Sequence, residues 1–341
     1  MTIKVLMLVA VISGICFVAA LAYSARSPSD PSLDADNCPD DATVARVDAT
    51  PVYSDAQGSV VDPAKLRFHE QQILPLRNFV TDASRRADST DPAQRECALA
   101  MMRDWAKNRA MEVPPADFGG LRELERFGIS LNIIALKLRA DGLDIGPLLG
   151  WLGELNRIVI GRFESRDRVD NLYVWSGVAA ASYALLSRDD GARRHADDVW
   201  KKGLAAIRPD GFVDSELRRG SRALLYHVYD LSALLTLRAF RTALGETNSD
   251  QDQVSLARLA DRVGASLCDP SSMATASGSA TQEKTPAIEF APIVAFAGNL
   301  SGPRLLGCAP EGIPKSDPIL GGEFDKTAAI LADVRNPAHG P

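Results

Sequence analysis

Apolar residues recur at helical spacing through most of the chain. Between residues 121 and 139, one stripe is formed by Leu124, Phe127, Leu131, Ile134 and Leu138. Asp91 followed by Pro92 is typical of an N-cap and the first position of a helix that continues to Trp105. The same spacing predicts helices over residues 145–162, 172–186, 193–207, 218–244 and 255–267.

Alternating strand patterns are nearly absent, so the fold class is all-α. Helices of about 15–20 residues joined by short polar turns predict antiparallel helix pairs. Such pairs build either an α-solenoid or an (α/α) toroid. The chain shows no repeat of fixed period, which favours an incomplete (α/α) toroid of antiparallel hairpins.

The N-terminal segment is predicted to direct export. Lys4 precedes an apolar run over residues 5–22, which ends in the small-residue pattern Ala20-Leu21-Ala22. Residues 1–25 therefore read as a signal peptide, or as an uncleaved anchor in the inner membrane. We expect a periplasmic or secreted protein with an irregular N-terminal arm over residues 26–63, a toroid domain over 64–335 and a frayed tail over 336–341.

Cysteine content agrees with export, since four cysteines remain after the signal. Their spacing alone admits three pairings. Their order and the exported context predict that Cys38 pairs with Cys97 and Cys268 with Cys308. The chain has no CxxC motif and no histidine cluster, so we expect no metal site and no cofactor.

Composition narrows the possible partners. Among 341 residues, Lys and Arg number 38 and Asp and Glu number 44, so the net charge is −6. An acidic chain argues against a nucleic-acid partner. Residues 269–286 are rich in Ser, Thr, Ala, Gly and Pro, which predicts a flexible loop with no core residues, close to a cleft.

One predicted helix has an unusually polar opening. If residues 218–244 form one helix, with about 100° per residue, one face carries Arg219, Arg222, Tyr226 and Tyr229. That face is either solvated or lines a cleft. His227 lies away from the face, as a core histidine would.

A second polar stretch runs from Arg166 to Gly177. Asp170 or Asn171 is a candidate N-cap, and Tyr173 and Trp175 can stack on a sugar ring or fill a helix junction.

Together, these stretches resemble the mannuronate-specific alginate lyases. Residues 210–229 carry a Gly-Phe turn and the family pattern Arg-Ala-Leu-x-Tyr-His-x-Tyr. Supporting matches are Cys97-Ala98-Leu99 with Trp105-Ala106, Phe68 to Gln71, and Leu320-Gly321-Gly322-Glu323. The resemblance implies an (α/α) toroid that cleaves an acidic polysaccharide by β-elimination, without a metal.

The resemblance also implies roles for individual residues. The catalytic residues would be Tyr229, Arg222 and Asn171, and the residues that bind the substrate would be Tyr226, His227, Arg219, Arg218, Tyr173 and Trp175. Leu172 stands where the family has a histidine, which leaves mannuronan and glucuronic-acid-containing polymers both as candidate substrates.

The chemistry of β-elimination fits these residue types. Removing the C5 proton of a uronate builds negative charge on its carboxylate, which Arg and Asn donors stabilise. In a β-linked mannuronate or glucuronate, the C5 proton and O4 lie on one side of the ring. One tyrosine can therefore serve as base and then as acid, and a nearby arginine would favour its phenolate form.

We expect a monomer whose partner is an acidic polysaccharide, with membrane contact only if the N-terminal segment is uncleaved. Two alternatives to the lyase remain. A glycoside hydrolase on the same toroid needs paired carboxylates, with candidates Asp214, Glu216 and Asp230. A non-catalytic protein would keep the cleft and bind polyuronate without turnover.

Overall fold

Helices make up most of the described chain. The computed structural model describes residues 38–39, 42–298, 305 and 307–334. Its α-helices are α1 (Pro63–Asp88), α2 (Pro92–Lys107), α3 (Phe118–Ala140), α4 (Gly146–Phe163), α5 (Asn171–Ser187), α6 (Asp190–Ala205), α7 (Asp214–Leu217), α8 (Ala223–Ala243), α9 (Asp250–Cys268), α10 (Ser271–Ala276), α11 (Ala291–Phe296) and α12 (Phe324–Val334).

Aspartate caps set the starts of several helices. Asp91 accepts a hydrogen bond from the backbone N–H of Ala93 at 2.9 Å, which confirms the predicted N-cap of α2. Asp170 caps α5 in the same way. At the start of α9, Ser249 and Asp252 form a reciprocal capping box. Each cap satisfies backbone donors that have no partner within the helix.

Consecutive helices pair as antiparallel hairpins, and the pairs form two layers. The hairpins are α1 with α2, α3 with α4, α5 with α6, and α8 with α9. The first members α1, α3, α5 and α8 pack against one another in succession, and the second members form the outer layer. This arrangement confirms the predicted incomplete (α/α) toroid.

The inner layer is apolar on nearly all sides. In α5, almost every residue from Val174 to Leu186 is buried, because α3, α6 and α8 surround the helix. Several charged side chains lie inside this layer, among them Glu123, Glu125 and Lys137 of α3. Lys137 is fully buried, with its Nζ 2.6 Å from Asp88 Oδ1 and 2.7 Å from the Gly321 carbonyl oxygen. It joins α3 to α1 and to the C-terminal segment.

The predicted helix over residues 218–244 is interrupted, which corrects that expectation. The segment contains the end of the arginine-rich turn after α7, the 3₁₀ turn Gly220–Arg222 and then α8. Gly220 has φ +58°, a left-handed conformation that ends regular helix geometry. Arg219 and Arg222 therefore precede α8, and their directions do not follow from helical spacing with Tyr229.

The longer described part of the N-terminal arm, residues 42–62, packs on the helices. Val47 and Ala49 are buried, and the Thr50 backbone N–H donates to Gln72 Oε1 at 2.7 Å. Gly119 in α3 has no side chain where the Ala49 carbonyl approaches, and a Cβ there would clash with that oxygen. The arm then crosses the N-terminal end of α3.

Both predicted disulfides are present. Cys38 is bonded to Cys97, which ties the start of the described chain to α2. Cys268 is bonded to Cys308. A two-stranded antiparallel sheet, β1 (Ser316–Asp317) and β2 (Gly322–Glu323), flanks the 3₁₀ turn Pro318–Leu320.

Residues 269–286 are more structured than their composition predicts. They contain α10, in which Met273 is fully buried, so the segment does contribute core residues. Gln282 accepts from the Leu224 backbone N–H at 2.9 Å and donates to the Gly220 carbonyl at 2.9 Å. These contacts attach the segment to the start of α8.

The predicted signal over residues 1–25 and the predicted tail over 336–341 lie outside the described residues. Within the described ranges, we find no helix of the length and apolar character needed to cross a membrane.

Candidate active site

A cavity of about 800 Å³ lies at the N-terminal ends of the inner helices α3, α5 and α8. The N-terminal arm closes one side of it through Pro51, Tyr53 and Asp55. The loop between α4 and α5, the Ala287–Phe290 turn and β1 complete the wall. Helix N-termini carry partial positive charge, so their convergence favours an anionic ligand.

Arginine is the most frequent charged residue of the cavity wall: Arg122, Arg126, Arg162, Arg166, Arg168 and Arg219. Some of these guanidinium groups are occupied, because Arg166 and Arg168 lie 3.3 and 3.1 Å from Asp170. Others are more accessible. The Arg162 side chain is exposed and makes no ion pair or hydrogen bond with the described residues, whereas the Arg126 side chain is 45% exposed and lies 3.9 Å from Glu123 Oε2 in a long ion pair.

Asn171 lines the cavity at the first turn of α5, and hydrogen bonds to the buried Glu216 fix its position. Its backbone N–H and its Nδ2 donate to Glu216 Oε1, at 2.8 and 3.2 Å. Burial and the nearby Asp170 raise the pKa of Glu216 to about 6. Glu216 therefore fixes the amide of Asn171 without itself facing the cavity.

Tyr229 also lines the cavity, on the first turns of α8. Its hydroxyl donates to Glu289 Oε1 at 3.3 Å, and its ring packs edge-to-face on Tyr226 with centroids 5.4 Å apart. The site thus places a phenol next to a carboxylate. Sequence reasoning had not identified Glu289.

The surroundings of Tyr229 favour its neutral phenol form over the phenolate. Burial raises the pKa of the Tyr229 phenol well above its usual value, the Glu289 carboxylate and Tyr226 raise it further, and Arg222 opposes them. Arg222 thus acts in the expected direction, but burial and the neighbouring Glu289 and Tyr226 outweigh it. Tyr229 is a neutral phenol in the unliganded protein.

Tyr226, Arg219 and Arg222 form a cluster with Tyr53 of the arm. The hydroxyls of Tyr53 and Tyr226 are hydrogen-bonded to each other. Arg222 Nη1 donates to the Tyr53 hydroxyl at 2.9 Å, and the Arg219 guanidinium lies 4.2 Å from the centre of the Tyr226 ring. Tyr53, Tyr226 and Arg219 line the cavity, whereas Arg222 lies behind Tyr53 and also pairs with Glu283.

The remaining predicted substrate-binding residues divide between the cavity and other positions. Trp175 lines the cavity, as does Leu172 at the position of the family histidine. Arg218 is exposed and does not line it. Tyr173 is buried and lines a separate cavity of about 540 Å³ between α4, α5 and α6.

His227 is also placed away from the cavity, so its position does not fit the predicted contact with substrate. The side chain is fully buried. Nδ1 donates to the Ala223 carbonyl at 2.7 Å, and Nε2 accepts from the Val213 backbone N–H at 3.0 Å. Burial lowers the pKa of His227 to about 4. Both ring nitrogens serve the fold, as expected of a core histidine.

The carboxylates considered for a hydrolase do not reach the cavity. Asp214 is exposed and pairs with Arg208, while Glu216 and Asp230 are buried beneath the site. None of the three lines the cavity wall. The residues that the structure describes include no group of three or more His, Cys, Asp or Glu side chains arranged to hold a metal ion.

Several cavity residues were not found from the sequence. Arg122 and Arg126 stand one helical turn apart at the polar start of α3, a spacing that could have indicated a cationic patch. Tyr53 and Glu289 lie in irregular segments far from α8 in sequence, and no local pattern marks them. Only the packing of the arm and of the Ala287–Phe290 turn brings them to the cavity.

Comparison with known sequences gives a family match. The family profile described as "Alginate lyase" matches residues 145–273. A "Polysaccharide lyase" of Stenotrophomonas maltophilia (strain K279a) is 27% identical over 228 residues, covering 64% of this chain and 69% of the relative. An "Alginate lyase" of Pseudomonas syringae pv. tomato (strain ATCC BAA-871 / DC3000) is 27% identical over 199 residues, covering 55% of this chain and 52%, about half, of the relative.

Comparison with solved structures supports the same fold. Alginate lyase A1-III from Sphingomonas species A1 superimposes with a TM-score of 0.67 and 19% identity, covering 85% of this chain and 86% of that one. A variant of A1-III complexed with a tetrasaccharide gives a TM-score of 0.64 and 18% identity, covering 84% and 82%.

Proposed function

We propose that this alginate-lyase-like chain is a polysaccharide lyase that cleaves a uronate-containing polymer by β-elimination. One observation carries the proposal. A tyrosine hydroxyl (Tyr229), a fixed amide (Asn171) and two exposed guanidinium groups (Arg126 and Arg162) line one cavity at the ends of three inner helices. Relatives named alginate lyase and polysaccharide lyase support the reaction class.

The cavity suits an acidic sugar chain. Its volume lies within the range of ligand pockets, about 300–1,000 Å³. The Arg162 side chain is unpaired within the described residues and Arg126 makes a long ion pair of 3.9 Å with Glu123, so both can reach substrate carboxylates. Trp175 offers a ring face for a sugar. The tetrasaccharide bound to the A1-III variant supports an oligosaccharide ligand for this fold.

Each residue has a defined role in this mechanism. Asn171, fixed by Glu216, donates to the carboxylate of the sugar that is cleaved, where negative charge grows as the C5 proton leaves. Tyr229 exchanges protons with C5 and then with O4. Arg222 acts through Tyr53 and Tyr226 and holds the aromatic cluster in place. We propose that the β-linked polymers mannuronan and glucuronan are the substrates.

The place of action is a further part of the proposal. Two disulfides are typical of exported proteins, which supports a periplasmic or secreted enzyme with the predicted signal or anchor at residues 1–25.

Ultraviolet absorbance tests the proposal directly. Elimination creates a C4–C5 double bond conjugated to the carboxylate, so mannuronan, guluronan and glucuronan are each mixed with the protein and absorbance is followed. We expect absorbance to rise with a β-linked polymer, and Tyr229→Phe to lower kcat by about 10²–10⁴-fold while the melting temperature stays unchanged.

Other outcomes would reject the proposal. New reducing ends without absorbance would indicate a hydrolase, and binding without either signal would indicate a non-catalytic protein. A Tyr229→Phe variant with the parent rate would exclude Tyr229 as the acid–base residue.

A further inference from the structure

Glu289 is held so that its carboxylate faces the reacting tyrosine. It belongs to the 3₁₀ turn Ala287–Phe290, which packs on α8. Ser232 Oγ donates to the Glu289 carbonyl at 3.0 Å, and the next residue, Phe290, is fully buried. With the backbone fixed in this way, Oε1 accepts the hydrogen bond of the Tyr229 hydroxyl at 3.3 Å.

The lyase reaction requires a base that prepares this tyrosine. Tyr229 is a neutral phenol in the free protein, because burial and Glu289 raise its pKa. Leu172 offers no proton acceptor, and none of the histidines in the described ranges lines the cavity. Arg222 lowers the pKa of Tyr229 through its charge, but its Nη1 donates to the Tyr53 hydroxyl, and a guanidinium cannot accept a proton. Glu289 is the group that accepts a hydrogen bond from the Tyr229 hydroxyl.

We propose that Glu289 takes the phenolic proton of Tyr229 at the start of each turnover and returns it at the end. The inference rests on the proposed lyase function. The distance of 3.3 Å is long for an O–H···O bond, as hydrogen bonds of unliganded sites often are before substrate tightens them.

Protons and electrons balance over the cycle. The phenolic proton moves to Glu289, and the phenolate takes the C5 proton. The electron pair of the C5–H bond forms the C4–C5 double bond, and the C4–O4 bond breaks as the phenol of Tyr229 protonates O4. Tyr229 is then a phenolate again, and Glu289 returns its proton. The C5 proton ends on O4, and both side chains regain their starting states.

The groups around Glu289 determine the pH at which its carboxyl group loses its proton, and this predicts how kcat/KM depends on pH. Burial raises the pKa of the Glu289 carboxyl to about 7, Arg126 of α3 lowers it, Asp317 of β1 raises it, and Tyr229 and Arg222 lower it. Glu289 accepts a proton only as a carboxylate. The value of kcat/KM should therefore rise with pH through the region near pH 7 and be lost below it.

Two variants of the full chain test the proposal, with kcat and KM measured against pH on the polymer that the parent cleaves. Glu289→Gln keeps size but cannot take a proton, so we expect kcat to fall by about 10²-fold with little change in KM, and the rise near pH 7 to disappear. Asp317→Asn removes a neighbouring negative charge, so we expect the rise to move to lower pH. Asn at this position can still accept from the Ile319 backbone N–H, as Asp317 does at 2.9 Å.

The outcomes separate this proposal from the proposed function. If the parent forms the unsaturated product and Tyr229→Phe does not, but Glu289→Gln keeps the parent kcat and pH profile, the proton-holding role is rejected and the lyase function stands. If Glu289→Gln does not fold, the Asp317→Asn variant tests the proposal. A pH dependence of kcat/KM that stays at the parent position in Asp317→Asn would reject the proton transfer between Tyr229 and Glu289. If the parent forms no unsaturated product, the proposed function itself is rejected.

Discussion

Replacing Gly119 by alanine should displace the N-terminal arm from the cavity. Gly119 lies in the first turn of α3, directly under the carbonyl of Ala49. Four residues further along the arm is Tyr53, whose hydroxyl contacts Arg222 and Tyr226 at the cavity. The substitution therefore tests whether close packing of the arm positions Tyr53.

The size of the effect follows from the geometry. A Cβ on Gly119 would approach the Ala49 oxygen well inside 3.0 Å, a limit that real Cβ atoms essentially never pass. Backbone must move by about 1 Å to relieve the contact, and overpacking of this kind costs about 1–3 kcal/mol. A misplacement of about 1 Å in a site can lower the rate by about 10²-fold. We expect Gly119→Ala to lower the free energy of unfolding by about 1–3 kcal/mol and to lower kcat/KM by about 10²-fold.

Gly128→Ala is the matched control, because Gly128 lies in the same helix and a Cβ there meets no atom within 4 Å. It should stabilise α3 by about 0.5–1 kcal/mol through helix propensity and leave kcat/KM unchanged. Stability is measured by urea unfolding and activity by absorbance. If Gly119→Ala behaved like Gly128→Ala in both assays, the close approach of the arm would not position Tyr53.

Two further predictions concern buried charge. Lys137→Met leaves Asp88 without its buried partner, so we expect a loss of about 3–5 kcal/mol in urea unfolding; a loss below about 1 kcal/mol would contradict a buried ion pair. Burial lowers the pKa of His195 to about 4, so the unfolded chain binds more protons between that value and the ordinary histidine pKa of 6.5. Stability should therefore fall as pH drops through that window. His195→Gln should flatten the decline, and an unchanged slope would count against a neutral buried His195.

The sequence was sufficient to predict the helices α2 to α6, α8 and α9 and their antiparallel pairing, but not α1. The helices are marked by local signals, namely the spacing of apolar residues and N-caps such as Asp91. These signals act over a few residues and do not depend on the tertiary structure. The disulfides followed from cysteine order. Tyr229 and Asn171 were also found, because each lies at a helix start within a recognisable motif, and the structure brings both to one cavity.

Local reasoning failed where helical spacing was assumed to continue. The pattern over residues 218–244 reads as one helix, yet Gly220 adopts a left-handed conformation and α8 begins only at Ala223. Arg222 was consequently expected to face the substrate beside Tyr229. It lies behind Tyr53, because its direction is set by contacts with the arm.

The sequence by itself therefore determined the hairpins and the two motif residues, and the tertiary structure decided how the site is completed. Tyr53 and Glu289 come from irregular segments 176 and 60 residues from Tyr229 in the chain, and neither carries a local pattern. They reach the cavity because the arm packs on α3 and because the Ala287–Phe290 turn packs on α8. The protonation state of Tyr229 was decided in the same way, because burial and a neighbouring carboxylate are properties of the assembled fold and of no single segment.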